Sequence, residues 1–228
     1  MNNSTHILTS FDEALDDLRS TVITMGTQAR DNVEHAVRGL FTREKSLLNQ
    51  AIADDDEEDL LEMEIDRKGL NIIMKYRPLA FDLRMVISSM KISSNLERIS
   101  DHAVSIAKRS RKIIKHEEME EVIYLEPLLD LAISCLNDSI KAYIDGDKEL
   151  AHVVIEREIE VGKVYKKISK TYTKSLESED GIVRDYLDLV FIARYLDRVS
   201  GLSSNIAEDV IFAMTNQDVR HPNAVQED

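Results

Sequence analysis

Leu96-Glu97-Arg98-Ile99-Ser100-Asp101-His102-Ala103-Val104-Ser105-Ile106-Ala107 reappears, altered, further along the chain as Leu196-Asp197-Arg198-Val199-Ser200-Gly201-Leu202-Ser203-Ser204-Asn205-Ile206-Ala207. Leucine, acid, arginine, β-branched residue, serine, isoleucine and alanine recur in register. Self-similarity at a fixed period sets an architecture before any local reading does. The chain therefore reads as one helical unit written twice. A Glu-x-x-x-Asp pair is intact in the first copy and broken in the second.

Working outward, the helical period is clear. Ser10 and Glu13 form a capping-box pattern. Phe11, Leu15, Leu18, Val22, Met25, Ala29, Val33, Ala36 and Leu40 then alternate at three and four, which predicts a helix over 10–41. A second helix is expected over 44–76, with Leu47, Ala51, Leu61, Ile65 and Ile72 on one side, ended by Arg77-Pro78. The third, over 81–115, carries two apolar seams, one of them interrupted by Glu97, as an inner helix with two packing partners would. After an acidic connector at 116–121, Pro127 opens a fourth helix that ends at Asp145-Gly146-Asp147. A fifth is expected over 147–176, a turn at Ser178-Glu179-Asp180-Gly181, a sixth helix over 182–214, and a polar tail. Leu47-Leu48-Asn49-Gln50-Ala51-Ile52 and Leu150-Ala151-His152-Val153-Val154-Ile155 extend the duplication to the second helix of each set. The predicted fold is all-α: two tandem three-helix bundles, residues 1–116 and 117–228.

Composition agrees. Seven Gly and three Pro in 228 residues, with 43% hydrophobic residues, favour long helices around a real core. The single Cys135 excludes an intrachain disulfide and suits a reducing compartment. A formal charge of −14 opposes nucleic-acid binding, which needs clustered cations to neutralise phosphates. Met1-Asn2-Asn3-Ser4-Thr5-His6 has no basic segment followed by an apolar one, so secretion is not expected. No apolar run approaches the ~20 residues of a membrane span. A cytoplasmic protein is expected, with any membrane role exercised through a partner.

Asp54 to Asp59 is an unbroken run of acids. Residues three, four and seven apart share a helix face, so Asp55, Asp59 and Glu62 point one way from the second helix, and Glu97 and Asp101 one way from the third. Carboxylates converging there repel unless they protonate or a cation intervenes. Oxygen donors suit hard or borderline ions such as Mg, Mn, Ca or iron, with Zn not excluded. The competing reading is a solvated acidic face.

The Leu96–Ala107 signature, its copy at Leu196–Ala207, Asp82-Leu83-Arg84, Lys91-Ile92, the Asp55 to Ile65 run and Asp218-Val219-Arg220-His221 together resemble the PhoU family of phosphate-uptake regulators over nearly the whole chain. The resemblance implies two three-helix bundles, each able to hold a polynuclear metal cluster, often iron. It also implies a negative regulator placed between the ATPase of the phosphate ABC transporter and a sensor histidine kinase, and a homodimer is expected. The second half departs from the family pattern. Gly162 and Gly201 replace aspartates and Leu202 replaces the histidine, leaving Glu158 and Asp197. That half is expected to be metal-poor.

Arg84, Arg98 and Arg198 are candidate partner-binding residues, and His102 reads as a surface or interface histidine. Glu149 and His152 spell the Glu-x-x-His of di-iron proteins, but out of phase with their apolar neighbours and without a second copy. Met25, Met63, Met85, Met90 and Met214 read as core packing. No Walker A, dinucleotide or nucleophile-elbow motif is present, so no enzyme is expected. Two other classes are a carboxylate-bridged metal oxidase or storage protein, and an accessory regulator of another transporter or channel.

Overall fold

The computed structural model describes residues 3–176 and 183–220. It contains α1 (Asn3–Phe41), α2 (Lys45–Ala53), α3 (Asp55–Tyr76), α4 (Ala80–Ile113), a 3₁₀ turn (Glu120–Leu125), α5 (Glu126–Asp145), α6 (Lys148–Ser175) and α7 (Val183–Thr215). No strand occurs among the described residues. α1, the α2–α3 pair and α4 form one bundle, and α5, α6 and α7 form the other. The expected turn at 178–181 and the last residues, 221–228, lie outside the described residues.

Three elements differ from expectation. Helix α1 begins before Ser10, so Ser10 is not its cap; its carbonyl instead accepts from the Tyr76 hydroxyl at 2.9 Å, pinning the end of α3 to α1. The connector after α4 winds into a 3₁₀ turn, sealed by the fully buried Leu125. The expected second helix is two helices, broken at Asp54 (φ −75°, ψ −7°). Successive aspartates are poor helix-interior residues and repel at i, i+4 spacing. A break there moves Asp55, Asp56, Glu57 and Glu58 into the first turn of α3, where the positive end of the helix dipole stabilises them.

Close approach of helices depends on glycine at the α1–α2 corner. A Cβ on Gly39 would lie 2.6 Å from Leu48 Cδ2 and 3.1 Å from the Glu44 carbonyl oxygen. The two bundles join through α4 and α7, which run antiparallel. Lys91 meets Asp209, His102 stacks on Tyr195, Arg109 pairs with Asp188 and His116 with Asp185, so position falls on α7 as it rises on α4. Leu96, Ile99 and Ile106 of α4 and Leu196, Val199 and Ile206 of α7 are fully buried, so the apolar half of the repeated signature is core. Buried serines let the helices approach closely; Ser88 Oγ donates to the Asp209 carbonyl at 3.0 Å across that interface. No helix among the described residues is long and apolar enough to cross a membrane.

Candidate functional site

Helices α3 and α4 present the acids of the first half along their shared edge. Asp55, Glu62 and Glu97 are half-buried; Asp59 and Asp101 are exposed. Burial, reinforced by the charges of Asp101, Glu62, Asp59 and Asp55, pushes the Glu97 carboxyl up to about 7. Burial also raises Asp55, with Asp101 and Asp59 adding to the shift and Lys108 opposing it. The fold thus brings all five sequence-predicted acids within electrostatic reach of one another. The Glu97 position, an apparent flaw in a core seam, is the edge of this face.

The acids suit a hard cation in charge and donor atom. Among the described residues, however, no three His, Cys, Asp or Glu side chains converge closely enough to hold one ion as they stand. The five would have to rotate to meet around a cation.

One residue at this site escaped the sequence reading. Glu58 is fully buried (0% exposed), and neither carboxylate oxygen has a hydrogen-bond partner. Burial, with Asp55, Glu57, Asp54 and Asp59 adding to it, pushes its carboxyl up to about 9. The residue therefore holds a proton at neutral pH, and it lies on the same acidic first turn as the exposed carboxylates.

The second half meets the same problem differently. Asp197 is half-buried and its carboxyl is raised by burial, but Arg198, Arg194 and Lys166 oppose that rise, with only Glu158 adding to it. Glu158 is exposed. A Cβ on Gly201 would lie 3.4 Å from Glu158 Oε1, and a Cβ on Gly162 would meet nothing within 4 Å. There is therefore room for a side chain at both glycines, and Arg198, Arg194 and Lys166 act on the Asp197 carboxylate.

Arg84 Nε donates to the Ala213 carbonyl at 3.1 Å, tying α4 to the end of α7. Arg98 and Arg198 are exposed, and both act on His102, whose imidazole is held low chiefly by burial. His102 stacks on Tyr195 at 5.4 Å between centroids, an interface between the halves. His152 is exposed. Met63 is not core, being 67% exposed.

A cavity of about 540 Å³ opens where α1, α4, α5 and α7 meet, lined by Asp12, Asp16, Arg19, Asp82, Tyr143 and Met214 among others. Sequence reading had no signal for it, because its lining comes from four distant segments.

The sequence matches the family model described as "PhoU domain" twice, over residues 22–110 and 125–210. It is 32% identical to the phosphate-specific transport system accessory protein PhoU homolog of Zymomonas mobilis, over 93% of this chain and 90% of that protein. It is 28% identical to the PhoU accessory protein of Serratia marcescens, over 97% and 91%. The crystal structure of PhoU from Pseudomonas aeruginosa superposes with a TM-score of 0.87 at 26% identity, covering 91% of this chain and 100% of that one.

Proposed function

We propose that this chain, which belongs to the PhoU family, is a non-enzymatic accessory regulator of phosphate transport. It restrains phosphate uptake and phosphate-starvation signalling by contacting the ATPase subunit of the phosphate ABC transporter and a sensor histidine kinase. It works in the cytoplasm and reaches the membrane through those partners. The observation that carries this reading is the double match across both halves, together with relatives named as accessory proteins of that transport system. The absence of any catalytic motif in the sequence supports an adaptor.

Within this reading the first half is the cation-binding half. Asp55, Asp59, Glu62, Glu97 and Asp101 would hold one or more hard metal ions, iron among them, and the bound charge would relieve their mutual repulsion. Glu158 and Asp197 are too few, and too closely bordered by Arg194 and Arg198, to hold a multivalent cluster.

Two measurements test the proposal. Pull-down of the tagged chain from cells grown with and without phosphate should recover the transporter ATPase when phosphate is plentiful; recovery of a different transporter's ATPase instead would refute the assignment. Glu97→Ala with Asp101→Ala should lose metal while keeping wild-type helicity. Full metal content in that double variant would remove the site.

A further inference from the structure

None of the five acids of the first half lines the cavity between α1, α4, α5 and α7, whose volume of about 540 Å³ is that of a small-molecule site. Its charge is one-sided. Asp12 and Asp16 enter from α1, Asp82 from the first turn of α4, and Asp145 is the last residue of α5. The ion pairs among the described residues include none of these four carboxylates. Among the described lining residues Arg19 is the one cation, and its Nη2 is committed to the Ile144 carbonyl at 2.7 Å. Helix α5 ends here without a basic residue in its last turn, which adds the negative end of its dipole.

The floor repeats this preference at a single atom. Tyr143 and Ser89 are 2% and 1% exposed, and their hydroxyl oxygens lie 2.7 Å apart. Ser89 Oγ also donates to the Met85 carbonyl at 2.8 Å, which can only accept. That uses the one serine proton, so the phenol proton goes to Ser89. Burial pushes the Tyr143 hydroxyl above its ordinary range, so the phenol keeps that proton. Tyr143 therefore presents to the cavity an oxygen that can only accept.

A matching ligand is cationic, donates hydrogen bonds, and is apolar between its charges, because Leu15, Phe81, Met85 and Met214 separate the carboxylates. We propose that the cavity binds a linear aliphatic di- or triamine. One ammonium donates to the Tyr143 oxygen, and another is held by the exposed carboxylates of Asp12, Asp16 and Asp145. The alkyl chain lies along the apolar wall between them. A metal ion fits less well, since among the described residues no three acidic side chains converge on one point. The inference stands apart from the phosphate-transport reading, and neither fails with the other.

Calorimetric titration of the full chain, in chelator and low salt, tests it with spermidine, putrescine and n-butylamine as probes. Spermidine should bind at one saturable site and weaken as salt is added. n-Butylamine, which has the putrescine chain but a single ammonium, should bind at least about tenfold more weakly than putrescine. Asp16→Asn with Asp145→Asn, both exposed, should weaken putrescine by at least about tenfold and leave helicity unchanged. Tyr143→Phe keeps the ring, removes the acceptor and should weaken it by about tenfold. Glu97→Ala with Asp101→Ala, on the other acidic face, should change nothing. Four results overturn the inference. The first is no saturable heat from any of the three amines, as expected if the cavity takes a basic side chain of a partner protein instead. The second is putrescine binding no tighter than n-butylamine. The third is binding untouched by the aspartate pair or by a folded Tyr143→Phe. The fourth is loss in the Glu97 and Asp101 variant, which would put the amine on the α3–α4 face. If Tyr143→Phe misfolds, the aspartate pair and the amine series decide alone.

Discussion

Replacing Glu58 with glutamine should stabilise the protein at neutral and alkaline pH and flatten its pH dependence. The unfolded chain loses the Glu58 proton near the ordinary value of 4.5, whereas the folded chain keeps it up to about 9. Unfolding between those limits releases a proton, so stability falls as pH rises, by about 1.4 kcal/mol per pH unit. Over pH 7 to 8.5 the difference between wild type and variant isolates this group. Glu97, raised to about 7, is half-protonated at the lower limit and adds a small slope common to wild type and variant, and His102, held below its usual range, contributes mainly in more acidic solution. Across that interval wild type should lose about 2 kcal/mol more than Glu58→Gln, which should lose only the few tenths of a kcal/mol that Glu97 contributes. At pH 7 the variant should be more stable by up to about 3 kcal/mol, because it no longer pays for holding a proton that the unfolded chain has released. Urea unfolding at the two pH values, in chelator to exclude bound cations, measures both quantities. Equal losses in wild type and variant would show that Glu58 is hydrated or paired in solution and would refute the reasoning.

The glycines make a matched pair of predictions. Gly39→Ala should lower stability by about 1–2 kcal/mol, since overpacking against Leu48 and the Glu44 carbonyl outweighs the gain in helix propensity. Gly162→Ala, into open space on α6, should raise it by up to about 1 kcal/mol; thermal unfolding reads both. Arg109→Met should cost about 3–5 kcal/mol by leaving buried Asp188 without its partner, and Arg109→Met with Asp188→Leu should recover most of that loss in urea titration.

Much of the fold was legible in its period. The repeated signature fixed both inner helices, because its leucine, β-branched and isoleucine positions must be buried to make a bundle, and they are. The five acids were legible for the same reason, through spacing on two helices. What escaped was which side of α3 faces inward at its amino-terminal end. Glu58, Ile65 and Ile72 stand seven apart, so the apolar spacing extended backwards puts Glu58 inside. Its place within a run of six acids hid that signal. Met63 was misread in the opposite sense: a methionine among buried isoleucines reads as core, but its spacing from Leu60, Leu70 and Met74 places it outside. The break at Asp54 was obscured because apolar spacing is maintained across it, while the preference of acids for a helix's first turn acts locally.

The two halves resolve one electrostatic difficulty by different chemistry. Each inner helix carries an acid at the same place in the signature, Glu97 or Asp197, and burial makes its charge costly in both. In the second half Arg198 and Arg194 oppose the burial penalty on Asp197 without removing it, and Gly162 and Gly201 add no carboxylate beside it. In the first half the neighbours of Glu97 are further acids, and the charge is relieved by protons: one held by Glu58 and part of one by Glu97 near neutrality. Protons retained for that reason are the ones a multivalent cation would displace, so under the proposed function cation binding there releases protons and strengthens as pH rises. Where arginines oppose the rise, as at Asp197, that coupling is weaker. Under the proposed function, any link between cation, proton and fold stability is therefore confined to α3 and α4.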